Sequence, residues 1–152
     1  MGAMKPTPKN WSRLSAALYY SDPIKTIDWL CAAFGFEIRL KVPGENGLLM
    51  HSELTFGEAI VMVIGDASDA GHPGGTYWRS PLRLEGANTQ SLMLYVDDVD
   101  AHCARARKAG AKIASEPKVT DYGEEYWTDK GYEAVDLEGH HFWFCERLRD
   151  PK

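Results

Sequence analysis

Short runs of alternating apolar and polar side chains recur along the chain, and two of them are spelled alike. Ser15-Ala-Ala-Leu-Tyr19-Tyr-Ser-Asp22 and Ser91-Leu-Met-Leu-Tyr95-Val-Asp-Asp98 share Ser, Leu, Tyr and the final Asp at a spacing of 76 positions, from 15 to 91. Each predicts a short strand with one apolar face. Each then meets a helix-start signal, Ser21-Asp22-Pro23 in the first copy and Asp97-Asp98 in the second. An Asp side chain can accept the unpaired N–H groups of a first turn, where Pro is also tolerated. The first predicted helix carries Ile24, Ile27, Trp29, Leu30 and Phe34 and stops at Gly35; the second carries Val99, Cys103, Ala106 and Ala109 and stops at Gly110. β-like segments follow, from Phe36 to Val42 and from Lys112 to Ala114.

A second correspondence lies downstream. His51-Ser-Glu-Leu-Thr-Phe-Gly57-Glu-Ala-Ile-Val61-Met-Val63 falls over Glu133-Ala-Val-Asp-Leu-Glu-Gly139-His-His-Phe-Trp143-Phe-Cys145 at a spacing of 82, from Gly57 to Gly139. Each reads as strand, turn at Gly, strand. The chain therefore divides into two β-α-β-β-β halves, an α+β fold of two tandem βαβββ modules. The expected boundaries are an N-terminal tail over 1–11, a first module over 12–65, a linker or flap over 66–88, a second module over 89–148 and a tail over 149–152, all within one structural domain. Gly2-Ala3-Met4 reads as a vector scar ahead of a native Met4. The linker holds Gly71-His-Pro-Gly-Gly75, and a second long polar and aromatic loop is expected from Glu116 to Gly131.

Paired βαβββ halves in a chain of this size resemble the vicinal oxygen chelate superfamily of glyoxalases, bleomycin-resistance proteins and extradiol dioxygenases. The likeness runs over residues 12–148 and is densest in Leu94-Tyr-Val-Asp97-Asp-Val-Asp100, Ala109-Gly-Ala111, Tyr122-Gly123, Tyr132 and Asp136-Leu-Glu-Gly139-His140-His-Phe-Trp143-Phe. These are similar to the PhnB-like or bleomycin-resistance-like subgroup. The resemblance implies a curved mixed sheet around a cavity, and commonly a homodimer. It implies no single activity, because one scaffold carries many.

Metalloenzymes of the superfamily draw His, Gln or Glu ligands from the first and last strands of each half. Carried onto this chain, those positions are Ser15, Val61, Ser91 and Trp143. None offers a usual ligand for Zn, Fe, Ni or Mn, nor do the neighbours Ala16, Met62, Leu92 and Phe144. No metal and no cofactor is therefore expected, with His51, Glu53 and His141 as the fallback ligands. The bland readings are a hairpin turn for His140, a strand polar group for His51, a loop for His72 and a helix surface for His102.

Strand alternation assigns the faces. With Ser15 and Ser91 turned towards the cavity, so are Ala17, Tyr19, Met93 and Tyr95, while Leu14, Leu18, Leu92, Leu94 and Val96 lie under the helices. In the last strands Ala59, Val61 and Val63 share the cavity face with His141, Trp143 and Cys145. Ser15, Tyr19, Ser91, Tyr95, Trp127, His141 and Trp143 are thus the expected ligand-binding residues. Flat rings stack on planar guests and attract cations, and Glu124-Glu125 beside Tyr126-Trp127 would favour a cationic one.

Composition narrows the partners. The 152 residues carry 17 Lys plus Arg against 22 Asp plus Glu, a net charge of −5, without the basic footprint that nucleic acid requires. No apolar run reaches the ~18–20 residues of a membrane span, and no signal-peptide core is visible. Cys31, Cys103 and Cys145 are too few and too scattered for a disulfide framework, which fits a reducing cytoplasm. The expectation is a non-catalytic binder of a small aromatic or cationic molecule, of the antibiotic-sequestering bleomycin-resistance type. The alternative is a glyoxalase-like enzyme. It would be a metal-dependent lyase or dioxygenase with displaced ligands, or a metal-free isomerase or hydrolase using His141, Glu53 and Tyr95.

Overall fold

The computed structural model describes residues 4–66 and 77–152. The first module consists of β1 (Ser15–Tyr20), α1 (Pro23–Phe34), β2 (Glu37–Pro43), β3 (Leu49–Phe56) and β4 (Ala59–Gly65). The second repeats the order with β5 (Leu92–Tyr95), α2 (Val99–Lys108), β6 (Lys112–Asp121), β7 (Thr128–Val135) and β8 (His141–Arg149). Each module is one four-stranded mixed sheet, ordered β1-β4-β3-β2 and β5-β8-β7-β6. The first strand of each module lies parallel to the last, and the other neighbours are antiparallel.

The helices start as the sequence predicts. Asp22 accepts the N–H of Lys25 and Asp98 that of Ala101. Gly35 closes α1 at φ +83°, where a Cβ would come within 3.0 Å of the Arg105 guanidinium. That guanidinium donates to the Cys31 and Ala32 carbonyls, both at 2.8 Å, so α2 supplies partners for the open end of α1.

One core joins the modules. Leu18, Tyr20, Ile27, Leu30, Phe34, Leu54, Val61 and Val63 of the first meet Leu94, Val99, Cys103, Ala106, Tyr132, Phe142 and Phe144 of the second. Phe34 sits at its middle, with ring centroids 5.0 Å from Phe142 and 4.9 Å from Phe144. Burying such rings contributes most of the stabilisation, roughly 25 cal/mol per Å² of apolar surface. The helix-side faces of both sheets are used up in this core, which leaves the opposite face of each sheet outside it.

The turn between β7 and β8 ties the modules together a second time. Asp136 accepts the Tyr20 hydroxyl at 2.6 Å and the N–H groups of Glu138, Gly139 and His140 at 2.9 Å each. Burial raises its pKa above the ordinary carboxylate value despite these donors. Glu138 accepts the N–H groups of Ser21 and Asp22, at 2.7 and 2.8 Å, and the Ser80 hydroxyl. Asp66 accepts the Ser80 N–H at 3.2 Å and the Arg83 Nε–H at 2.8 Å.

Several expectations need correction. The Glu116-to-Gly131 segment is a strand pair, because Lys118–Asp121 ladders with Thr128–Gly131 and leaves only a short turn. Leu14 precedes β1 and is 87% exposed, so it packs under no helix. Val61 and Val63 are buried in the core, on the face opposite to the one expected. The cause is turn length. Phe56 pairs with Ala59 across a two-residue turn, whereas Val135 pairs with His141 across five residues, so Gly57 and Gly139 are not equivalent positions. His102 is no surface residue: burial lowers its pKa, and its ring lies between the Phe34 carbonyl and the Tyr132 hydroxyl. A carbonyl only accepts, so Nε2 carries the proton and Nδ1 accepts from Tyr132. Gly71 to Gly75, His72 among them, lies outside the described residues.

Candidate functional site

The outward face of the second sheet is built by register. Tyr95, Cys145, Gly131 and Lys118 form one row across β5, β8, β7 and β6; Met93, Trp143, Glu133 and Ser115 form the next. Paired residues on adjacent strands share a face, and a cavity of about 330 Å³ opens over these rows. Its walls include Met93, Tyr95, Tyr122, Trp127, Trp143 and Cys145. Tyr122 and Trp127 come from the β6–β7 turn, with ring centroids 5.3 Å apart. Arg149 secures that turn by donating to the Gly123, Glu124 and Tyr126 carbonyls.

Tyr95 is fixed at this site. Its hydroxyl donates to Asp129 at 3.0 Å and accepts from Arg147 at 2.5 Å. Burial, then Asp129, pushes its pKa up, so it remains a phenol and no base. Arg147 also donates to Asp129 at 2.6 Å, and its guanidinium lies 5.3 Å from the Tyr95 ring centroid and 5.4 Å from that of Trp127. The cation-attracting faces of both rings therefore carry the chain's own arginine.

The outward face of the first sheet differs. Ser15, Ala17 and Tyr19 pair with Ile60, Met62 and Ile64. Trp78 lies flat on Tyr19, 4.8 Å between centroids and 7° between planes, beside a cavity of about 230 Å³ that also touches His140. Glu53 is buried and shared by Arg39 at 3.2 Å and His51 at 3.0 Å. Arg39 in turn lies 5.0 Å from the Trp11 ring centroid.

The expected site residues are thus split between two faces. Tyr95, Trp127 and Trp143 line one cavity, with His141 on the same strand face. Ser15 and Tyr19 belong to the other sheet, and the Ser15 hydroxyl meets that of Ser12 at 3.0 Å. Ser91 is exposed just ahead of β5 and lines neither cavity. His141 Nδ1 meets Glu133 at 2.5 Å. Glu53 is on the first sheet, its carboxylate shared by Arg39 and His51, whereas Tyr95 and His141 are on the second. His140 closes the β7–β8 turn, with Nε2 donating to the Tyr19 carbonyl at 2.9 Å. Glu124 and Glu125 are exposed on the turn, and Glu124 pairs with Lys152. Sequence reasoning missed Lys118, Thr120 and Asp129, which a strand reading of 112–121 and 128–135 would have placed on this face, and Arg147, which lies on β8 beyond Cys145.

A divalent metal does not fit the first- and last-strand positions. Register makes Met62, not Val61, the counterpart of Trp143: Met62 pairs with Ala17, Trp143 with Met93, and Ala17 and Met93 stand 76 positions apart. Ser15 and Ser91 of the first strands with Met62 and Trp143 of the last form no usual site for a hard or borderline ion. Among the described residues no three His, Cys, Asp or Glu side chains gather as a ligand set.

Comparison with known proteins agrees with this architecture. The family model for the Glyoxalase/Bleomycin resistance protein/Dioxygenase superfamily matches residues 13–144, and the chain belongs to that superfamily. The uncharacterized protein Mb0911c of Mycobacterium bovis is 31% identical over 137 residues, 90% of this chain and 84% of that protein. Among solved structures, TioX from Micromonospora sp. ML1 is 30% identical with a TM-score of 0.65, covering 90% of this chain and all of TioX. TnmS3 from Streptomyces sp. CB03234, described as an antibiotic binding protein, shares the fold at 21% identity and a TM-score of 0.61, covering 90% of this chain and 96% of TnmS3. Among the described residues no helix is long and apolar enough to cross a membrane.

Proposed function

We propose that the protein sequesters a small planar aromatic molecule on the outward face of its second module and releases it unchanged. The observation that carries this reading is the 330 Å³ cavity walled by Tyr95, Tyr122, Trp127 and Trp143. An apolar concavity with few polar groups is the usual form of a small-molecule site. The absence of donors at the first- and last-strand positions supports binding over metal catalysis. Antibiotic binding in TnmS3 makes a polyaromatic antibiotic a reasonable guest and resistance by sequestration the corresponding role. A neutral or anionic ring fits better than a cationic one, because Arg147 already covers Tyr95 and Trp127. The test is a titration with planar, polyaromatic and glycopeptide antibiotics followed by tryptophan quenching, with mass spectrometry of the recovered compound. Saturable quenching with an unchanged mass is the expected result; a flat response across the panel overturns the reading.

A metal-free acid/base enzyme is the second reading, and one contact favours it. Glu133 holds His141 at Nδ1, and among the described residues Nε2 has no hydrogen-bond partner, an orientation a general base requires. A changed mass in the recovered compound, lost in His141→Gln, would select it.

We also infer a homodimer acting in the cytoplasm. Met93 (60% exposed), Tyr95 (45%) and Trp143 (36%) leave an apolar outward face that a second copy would border, enclosing the bound molecule between the two chains. Three free thiols suit a reducing compartment. Light scattering at tens of micromolar should give twice the chain mass; a monomer removes the dimer.

A further inference from the structure

Lys118 is the feature of the second face that planar binding leaves unexplained. β6 carries an irregularity between Ser115 and Lys118, where Pro117 cannot donate to the ladder. The irregularity turns both Ser115 and Lys118 onto the outward face, where both line the cavity with Thr120. Lys118 stands opposite Gly131, which in turn stands opposite Cys145. Gly131 contributes no side chain to this row, and a Cβ there would come within 3.2 Å of Cys145 Sγ. The row is therefore open between Lys118 and the aromatic wall.

The carboxylates of β6 and β7 are matched within the chain. Asp129 is paired with Arg147, Glu133 with His141, Asp121 with Arg149 and Glu116 with Arg107. Among the described residues, Lys118 alone of the cavity's charged side chains has no ion pair or hydrogen bond. An uncompensated cation beside a half-enclosed apolar surface favours a ligand that carries an anion at the matching edge.

We propose that the second-module cavity selects planar aromatic molecules bearing an acidic group, a carboxylate or an ionised phenol, and that Lys118 is the residue that recognises the acid. This deepens the binding reading above and rests on it. The rings of Tyr122, Trp127 and Trp143 take the aromatic plane, while the Lys118 ammonium meets the anion and the Ser115 and Thr120 hydroxyls offer further donors.

The test uses three probes of one shape, 2-naphthoate, 2-naphthamide and 2-naphthylmethylammonium, titrated calorimetrically into the full chain. 2-Naphthoate should bind about tenfold tighter than the amide, as a charge-assisted hydrogen bond implies, and the ammonium weakest of the three. Lys118→Met keeps most of the stem and removes the charge; it should bring 2-naphthoate down to about the amide's affinity and shift the amide far less. Lys118→Glu should reverse the order of naphthoate and ammonium. Lys118 is exposed, so neither variant should disturb folding, and circular dichroism checks this. Equal affinity for naphthoate and amide, or a naphthoate preference that survives in Lys118→Met, overturns the proposal and leaves planar binding standing. No binding of any probe overturns planar binding itself.

Discussion

The two outward faces are laid out on one plan and furnished for different ends. Tyr19 and Tyr95 stand 76 positions apart on matching strands, and each has a planar group laid against its ring. On the first face that group is Trp78, stacked at 4.8 Å; on the second it is the Arg147 guanidinium at 5.3 Å. Trp78 covers Tyr19 beside a 230 Å³ recess, whereas Arg147 lies over Tyr95 and Trp127 and leaves Tyr122 and Trp143 facing a 330 Å³ cavity. The duplicated backbone sets where a ring stands. The loops decide whether the ring is available. On the first face the linker supplies the chain's own guest; on the second the β6–β7 turn supplies walls and no plug.

The hardest blow to this comparison removes what the faces share. Phe34→Ala empties the middle of the common core, where the side chain has no exposure, and should cost about 3–5 kcal/mol. Urea unfolding should show both modules lost in a single transition; two separated transitions would mean that the modules hold themselves. Glu138→Ala acts on the link alone. It leaves the N–H groups of Ser21 and Asp22 and the Ser80 hydroxyl without their acceptor, for a loss of about 2–3 kcal/mol. Trp127→Ala against Trp78→Ala sharpens the contrast directly. Removing Trp127 should weaken a planar probe about tenfold, the scale of a lost aromatic contact, while removing Trp78 should leave that affinity unchanged and uncover Tyr19.

The smallest effect is one of pH. Burial sets the folded pKa of His102 below its ordinary 6.5. Between those two values the unfolded chain binds more protons, so stability is full above about 6.5 and declines as the pH falls towards the folded value. His102→Gln should flatten that decline in urea midpoints measured between pH 7.5 and 5.5, without favouring either face.

The repeat, its helix starts and the inward-outward alternation of β1 and β5 were legible because each rests on local rules: a period of two, an Asp cap, a glycine stop. The face of β4 was not. It depends on how many residues separate two pairing strands, and Gly57 and Gly139 occupy different places in turns of two and five residues. The outer parts of β6 and β7 were hidden for another reason. Lys112–Asp121 is polar on both sides and interrupted at Pro117, so it carries no apolar stripe to mark a strand. With those strands went Lys118, Thr120 and Asp129 of the second face, while Arg147 was missed because β8 runs on to Arg149, past Cys145. The seven expected binding residues divide between the two sheets, because strand alternation fixes which face a side chain takes but not how two sheets stand to one another.

The Asp66–Ser80 contact also bears on how the chain tolerates change. Asp66 donates its N–H to the Tyr20 carbonyl and accepts that of Ser80, so residues 66 and 80 are pinned at one spot beside the module junction. The span they bracket can therefore change in length at little cost to the junction, since closing a longer loop adds only about 0.6 kcal/mol per doubling.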